Sequence, residues 1–420
     1  MNESVFKAEY LLQGSGKVIR KGAVVVNGNK IGYACKFNDL NEEQKARAVD
    51  FGNAVIMPGL INAHTHLELS DLKGLEVADN NLLSWIKELL RSKMGWKEKD
   101  YNASIRNGIT ESLRTGTTTV ADITNSGFSM DILHDSAVRN VVFFEVIDFA
   151  PSKAAEAIDS VKNRLSNIIS NDLFQVGISP HAPYTVSFEL YKECSKINNI
   201  PLCTHIAETA EELSFLKYGK GPFIDFLNKF GMLKDGWAAP GLSPIEYLNK
   251  SGILDVCPLL VHCNYISDDD IALIKKAGSS VVFCPRSHRF FGHNNHRFQE
   301  LLKAGVNVAL GTDSLASNDT LSILDEMRFI YKNVLNVEPQ TIFTMGTNNG
   351  ARALGLEGKV GMIEKDYYTD ISIVALPSDF EGDVYSGLLS NESDNIFTMV
   401  NGVVCYDKRK AVKLAHLVDF

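Results

Sequence analysis

A chain of 420 residues with 45% hydrophobic and 22% charged side chains has ordinary globular composition, which excludes a disordered protein. Its 42 basic against 51 acidic side chains, a net charge of −9, argue against a surface built to neutralise nucleic-acid phosphates. No run of about 18 apolar residues suits a membrane-spanning helix, and Met1-Asn2-Glu3-Ser4 has neither region of a secretory signal. The expected location is the cytoplasm. There the seven cysteines (35, 194, 203, 257, 263, 284 and 405), with no Cys-x-x-Cys pair among them, read as buried, reduced thiols.

The first 53 residues hold short alternating segments and turn signals, among them Val24-Val25-Val26-Asn27-Gly28-Asn29-Lys30-Ile31, where Asn-Gly marks a hairpin. Gly14-Ser15-Gly16-Lys17 resembles a fragment of a phosphate loop but lacks its spacing. Eight apolar, β-branched runs then follow: Ala54–Leu60, Thr118–Ile123, Val141–Ile147, Phe174–Ser179, Ile200–Thr204, Leu259–Cys263, Ser280–Cys284 and Asn307–Gly311. Their near-continuous apolar character predicts parallel strands buried on both faces. Helical patterns lie between them, at Asn102–Thr115, Phe188–Asn198, Asp268–Ala277 and Leu321–Leu335. Ser267 with Asp270 resembles a capping box, and Gly278 sits where a helix-ending glycine belongs. Glu211–Gly252 is an insertion between the fifth and sixth strands, either a lid or an extra helical hairpin. After residue 360 the strand-and-turn character returns, in Asp370–Val374 and Val400–Val404.

Strand–helix alternation repeated eight times predicts an α/β fold, a (β/α)8 TIM-type barrel over residues 58–359. Neither end has enough strands to bury a face alone. Residues 1–57 and 360–420 are therefore expected to pair into one small flanking β-sandwich.

Histidines fall at the ends of these strands. In His64-Thr65-His66 the period of two points both imidazoles the same way, half of a metal site. His205 and Glu208 follow the fifth run and meet on one side if the chain turns into a helix there. Glu208 then reads as a proton shuttle for metal-assisted hydrolysis, or as a first-turn carboxylate beside Glu211 and Glu212. His262 ends the sixth run, and Asp313 ends the eighth, where burial demands a partner or a metal. Histidines plus one carboxylate at the mouth of a barrel suit Zn2+ or Fe2+. His181 closes strand four, which offers no bridging lysine, so one metal is expected. Arg286 and Arg289, past the seventh strand, read as a clamp for a substrate carboxylate or as solvated loop arginines. His134, His293, His296 and His416 read as surface or satisfied core residues.

Together, Pro58-Gly59-Leu60-Ile61-Asn62-Ala63-His64-Thr65-His66, His205-x-x-Glu208, His262 and Gly311-Thr312-Asp313-Ser314 resemble the amidohydrolase superfamily over nearly the whole chain. Within it the pattern is most similar to the mononuclear deaminases of adenosine-type compounds, those acting on S-adenosylhomocysteine, methylthioadenosine or aminodeoxyfutalosine. The resemblance implies His64, His66, His205 and Asp313 as ligands of one divalent metal, zinc with iron(II) as alternative. It implies Glu208 as proton shuttle and His262 and Asp313 as partners of the attacking hydroxide. His181, Glu68, Arg286, Arg289 and Ser314 are the expected substrate contacts. Glu68 and the Arg286-Ser287-His288-Arg289 loop resemble the aminodeoxyfutalosine deaminases more than the S-adenosylhomocysteine branch. The implied substrate is thus a small nucleoside, aminodeoxyfutalosine of the futalosine route to menaquinone, with no nucleic-acid or membrane partner and compatible with a homodimer. Triazine chlorohydrolases and guanine deaminase share the ligand set. A scaffold barrel without catalysis is the remaining class, and the full ligand set disfavours it.

Overall fold

The structure is a computed structural model; it describes residues 3–14, 16–79, 81–166, 168–229, 231–233, 237–378 and 380–410. His416, Ser15 of the glycine-rich fragment, and the final ten residues of the expected terminal unit lie outside the described residues.

Strands β1 (Glu3–Leu12), β2 (Val18–Asn27), β3 (Lys30–Lys36), β4 (Val49–Asp50) and β5 (Ala54–Pro58) come from the first part of the chain. They join three strands from the far end, continuing the numbering after the eight parallel strands below: β14 (Ile371–Ala375), β15 (Asp394–Val400) and β16 (Val403–Asp407). The order is β16-β15-β14-β5-β1-β2-β3, with β4 beside β1. The expected sandwich thus takes the form of one continuous sheet. Its two ends meet where β5 runs antiparallel to β14, Ile56 opposite Ile373. Apolar clusters pack around it, one on Phe6, Phe51 and Phe397 and a smaller one on Val5, Val25 and Leu40.

The first apolar run is not a barrel strand. Ala54–Pro58 belongs to the terminal sheet, and Pro58-Gly59 divides one apolar stretch into strands of two different sheets. Gly59 packs so tightly on Thr118 that an added Cβ would lie 2.1 Å from its hydroxyl oxygen. The chain then enters β6 (Leu60–Thr65), followed by β7 (Thr117–Thr124), β8 (Arg139–Val146) and β9 (Phe174–Pro180), all parallel. A second parallel sheet holds β10 (Cys203–Ile206), β11 (Leu259–His262), β12 (Val281–Phe283) and β13 (Val308–Leu310). Single parallel bridges link the sheets at both edges, Ile178 to Leu202 and Thr65 to Asp313.

The continuous apolar runs follow from burial on two faces. Leu60, Val120, Val142, Leu260, Val281 and Leu310 pack into the large cluster that includes the surrounding helices. Their neighbours Ile61, Ala121, Val141, Val261, Val282 and Ala309 form a separate cluster. Adjacent residues on a strand point oppositely, so both faces need apolar side chains.

Helices lie where the periodicity indicates. Asp268–Ala277 starts at the Ser267/Asp270 capping box and ends at Gly278, with φ 72°. Among its described residues the 211–252 insertion holds the helices Ala210–Tyr218, Pro222–Lys229 and Pro244–Ser251. Among the cysteines, 194, 203, 263, 284 and 405 are buried as expected. Cys35 is half-buried and Cys257 is exposed, because Cys257 sits in the turn before β11 rather than on the strand. A bidentate ion pair ties the parallel strands to the terminal sheet: Arg139, at the start of β8, donates to Asp370 at 2.7 and 3.1 Å.

Candidate metal centre and active site

The strand ends carry the polar residues together. His64 is the fifth residue of β6, and His66 follows that strand. Their ring centroids lie 4.9 Å apart, and His64 lies equally 4.9 Å from His205. The Nε2 atoms of His66 and His205 face each other at 3.3 Å. Asp313 Oδ1 is 3.7 Å from Nε2 of both His64 and His66. These four donors can hold a metal: His64 is fully buried, yet neither ring nitrogen has a hydrogen-bond partner. An imidazole stranded in this way is costly unless something else accepts its lone pair. Burial depresses the basicity of the ring of His66 to about 3 and drives that of His205 far down, which keeps them in the neutral, ligating form. Burial works against ionised Asp313, but His64, His66 and His262 around it hold its carboxyl well below the usual range.

Left-handed backbone builds this cluster. Ala207, His262, Cys263 and Asp313 have φ of 50°, 75°, 54° and 59°, conformations unusual outside glycine. Sequence reasoning expected a helical turn to bring Glu208 beside His205. Instead the helix begins at Ala210, and the left-handed turn at Ala207 presents Glu208 from a loop. Glu212 holds that loop, accepting the N–H groups of Ala207 and Glu208, each at 2.9 Å. Periodicity is blind to such a turn.

Glu208 lies 3.6 Å from His262 Nε2. Burial first, then Asp313 and Glu212, push its carboxyl well above the ordinary range, which favours the protonated form. Asp313 is oriented by Ser287 Oγ at 2.6 Å, Ser317 Oγ at 3.0 Å and the Ser314 N–H at 2.8 Å. The contact from Ser314 is therefore to Asp313, and its side chain does not line the cavity. His296, expected as a surface or satisfied core histidine, donates from Nε2 to the His262 carbonyl at 2.7 Å, directly behind the site. His293 meets the Tyr265 hydroxyl at 3.0 Å, but its Nε2 and the Nδ1 of His296 are buried without partners, so neither is fully satisfied.

The cluster opens into a cavity of about 440 Å³ lined also by Glu68, Asn125, Glu145, His181 and Thr185. Glu68 accepts the Asn125 N–H at 2.7 Å and the Ser126 hydroxyl. His181 Nδ1 meets Thr185 Oγ1 at 2.6 Å, and its Nε2 lies 3.8 Å from Glu145. Burial and Glu68 push the carboxyl of Glu145 up to about 7. The opposite wall is apolar: Leu82, Leu83, Trp85, Ile86 and Leu89 of the helix Leu82–Ser92, with Phe223 and Phe226 of the inserted helix. Sequence reasoning missed Glu145, Trp85 and Lys93, which also lines this space. Glu145 is a polar residue near the end of an apolar run, the same signal that Asp313 gave.

The structure does not bring Arg286 or Arg289 to this cavity. Both line a separate depression with Phe290, Leu315 and Phe329. Arg286 is engaged there by Asp319 and by Asn318 Oδ1 at 3.1 Å. The helix Pro285–Phe290 starts immediately after the seventh strand and carries them aside.

A family model described as the amidohydrolase family matches residues 55–405. The chain belongs to that family, hydrolases acting on carbon–nitrogen bonds. It is 31% identical over 361 residues to an aminodeoxyfutalosine deaminase of Deinococcus radiodurans, covering 83% of this chain and 84% of that one. It is 29% identical over 390 residues to a 5-methylthioadenosine/S-adenosylhomocysteine deaminase of Thermococcus onnurineus, covering 88% and 85%. The structure superimposes with a TM-score of 0.80 on a zinc-bound adenosine deaminase of Xanthomonas campestris, at 23% identity and covering 99% and 95% of the two chains, a likeness of fold.

Proposed function

We propose that this protein is a hydrolytic deaminase of an adenosine-type nucleoside, with aminodeoxyfutalosine as its substrate. The observation that carries the reading is Glu208, 3.6 Å from His262 in the cavity that His66, His205 and Asp313 also line, with buried His64 clustered behind them. His64, His66, His205 and Asp313 hold one divalent metal, Zn2+ with Fe2+ as alternative. The two parallel sheets act as one eight-stranded barrel over residues 58–359, and residues 1–57 and 360–420 as one β domain.

When bound, such a metal lowers the pKa of a water from about 15.7 toward about 7. The chain's own residues do the rest. Glu208 donates its proton to the purine N1, drawing electrons from C6, a contribution of roughly 10²–10⁴ in rate. Asp313, ionised and oriented by Ser287 and Ser317, accepts a proton from the attacking water together with His262. The oxygen bonds to C6; the proton taken up by Asp313 and His262 passes to the 6-amino group, the remaining hydroxyl proton returns to Glu208, and the C6–N bond breaks to release ammonia, leaving a C6 carbonyl beside a protonated N1. Glu68, His181 and Glu145 contribute hydrogen-bonding groups along the wall that the rest of the nucleoside passes.

Turnover of aminodeoxyfutalosine, S-adenosylhomocysteine, methylthioadenosine, 5′-deoxyadenosine and adenosine, followed as ammonia, tests the reading. The highest kcat/KM is expected for aminodeoxyfutalosine. A preference of tenfold or more for another nucleoside would reassign the substrate, and ammonia from none would end the deaminase reading.

A further inference from the structure

A carboxylate-bearing nucleoside needs a cation in the cavity, and neither Arg286 nor Arg289 supplies it. Lys93 is the one lysine or arginine that lines the space among the described residues. It follows the last turn of Leu82–Ser92, the helix that forms the apolar wall, and is half-buried beside exposed Met94. No carboxylate of the described residues stands within ion-pairing distance of it; its ammonium lies 5.9 Å from the Tyr101 ring. Glu68 and Glu145 line the same cavity; Asn125 donates to each, through its backbone N–H and, at 3.0 Å, its side-chain amide, and Lys93 acts on Glu145 only through space.

We propose that Lys93 is the specificity-determining residue of the site: it binds the carboxylate of a 5′-substituent whose apolar part lies along the helix Leu82–Ser92. The proposal rests on the nucleoside reading of the cavity. An ammonium with no fixed partner, at the end of an apolar wall, favours a substituent that is apolar along its length and singly negative at its tip. A charge-assisted contact of this kind is strong where water is partly excluded. A zwitterionic tip makes a weaker contact with Lys93, because its own ammonium must keep its water and is held off the apolar wall at Leu89 and Leu90. The aryl carboxylate of aminodeoxyfutalosine and the amino-acid carboxylate of S-adenosylhomocysteine share the recognised chemistry, and the two arms of the test separate them.

The experiment compares the metal-loaded wild type, Lys93→Met, which keeps the apolar stem, and Lys93→Arg. Each is given aminodeoxyfutalosine, S-adenosylhomocysteine and neutral methylthioadenosine, with kcat and KM read from ammonia release and binding read by calorimetry. Lys93→Met should lower the aminodeoxyfutalosine-to-methylthioadenosine ratio of kcat/KM by roughly 10- to 100-fold, the size of one charged hydrogen bond. The loss should lie in KM, and Lys93→Arg should restore most of it. The S-adenosylhomocysteine ratio should fall less. An unchanged ratio in Lys93→Met, with the wild type turning nucleosides over, overturns the proposal and leaves the deaminase reading standing. Lys93-dependent binding of aminodeoxyfutalosine without turnover supports the proposal and defeats that reading. Binding of no nucleoside at all defeats both.

Discussion

The Nε2 atoms of His66 and His205 stand 3.3 Å apart on nearly parallel rings. His64, beside both, has two ring nitrogens without partners. Ring nitrogens gathered this closely, with those of His64 lacking any hydrogen-bond partner, offer converging donors to a cation. The purified protein should therefore carry about one equivalent of divalent metal. His66→Ala should lose most of it. Two equivalents bound at full activity would contradict a single centre.

Glu208→Gln keeps the shape and removes the transferable proton. Metal content should stay near that of the wild type while kcat falls by at least about 10²-fold. Normal turnover would reduce Glu208 to a loop carboxylate held by Glu212.

Asp122, buried on β7, accepts the Leu67 N–H at 2.7 Å, while its other oxygen has no partner. Burial raises its carboxyl to about 8. In the unfolded chain the group ionises near its ordinary value of about 4, so the fold holds a proton that the unfolded state releases. Stability is full below about pH 4 and is lost as the pH rises through about 8, as far as this group is concerned. Asp122→Asn should remove that slope, measured as denaturation midpoints from pH 5 to 9. Parallel pH profiles for the two proteins would refute it.

Arg139 and Asp370 are both buried, and Asp370 also accepts the Asn401 N–H at 2.8 Å. Arg139→Met leaves an unpaired carboxylate between the parallel strands and the terminal sheet. The expected loss is about 3–5 kcal/mol, read from chemical denaturation. A loss below about 1 kcal/mol, the worth of an exposed pair, would show that the pair does not join the two parts.

Much of the fold and the site is legible in the residues. Parallel strands buried on both faces need apolar residues at consecutive positions, so Thr118–Ile123 and Leu259–Cys263 announced themselves. His64, His205, His262 and Asp313 stood out as polar groups ending such runs. The boundary at Pro58-Gly59 did not, because Ala54–Pro58 and Leu60–Thr65 are equally apolar and only their partners differ. Arg286 stands in the right place along the chain but turns toward Asp319 and Asn318, a tertiary contact that no local pattern encodes. Lys93 was hidden for the converse reason. It ends an amphipathic helix, where a lysine is ordinary, and only the fold of that helix over the strand ends brings it to the cavity.

Water is expected to replace the 6-amino group of a nucleoside in this cavity. The most direct measurement incubates the metal-loaded protein with aminodeoxyfutalosine in heavy-oxygen water and follows ammonia and product mass together. The expected result is one ammonia per nucleoside consumed and one heavy oxygen retained on the purine ring, with Glu208→Gln slowed at least about 10²-fold. Absence of ammonia, or cleavage at the ribose with the amino group intact, would contradict it.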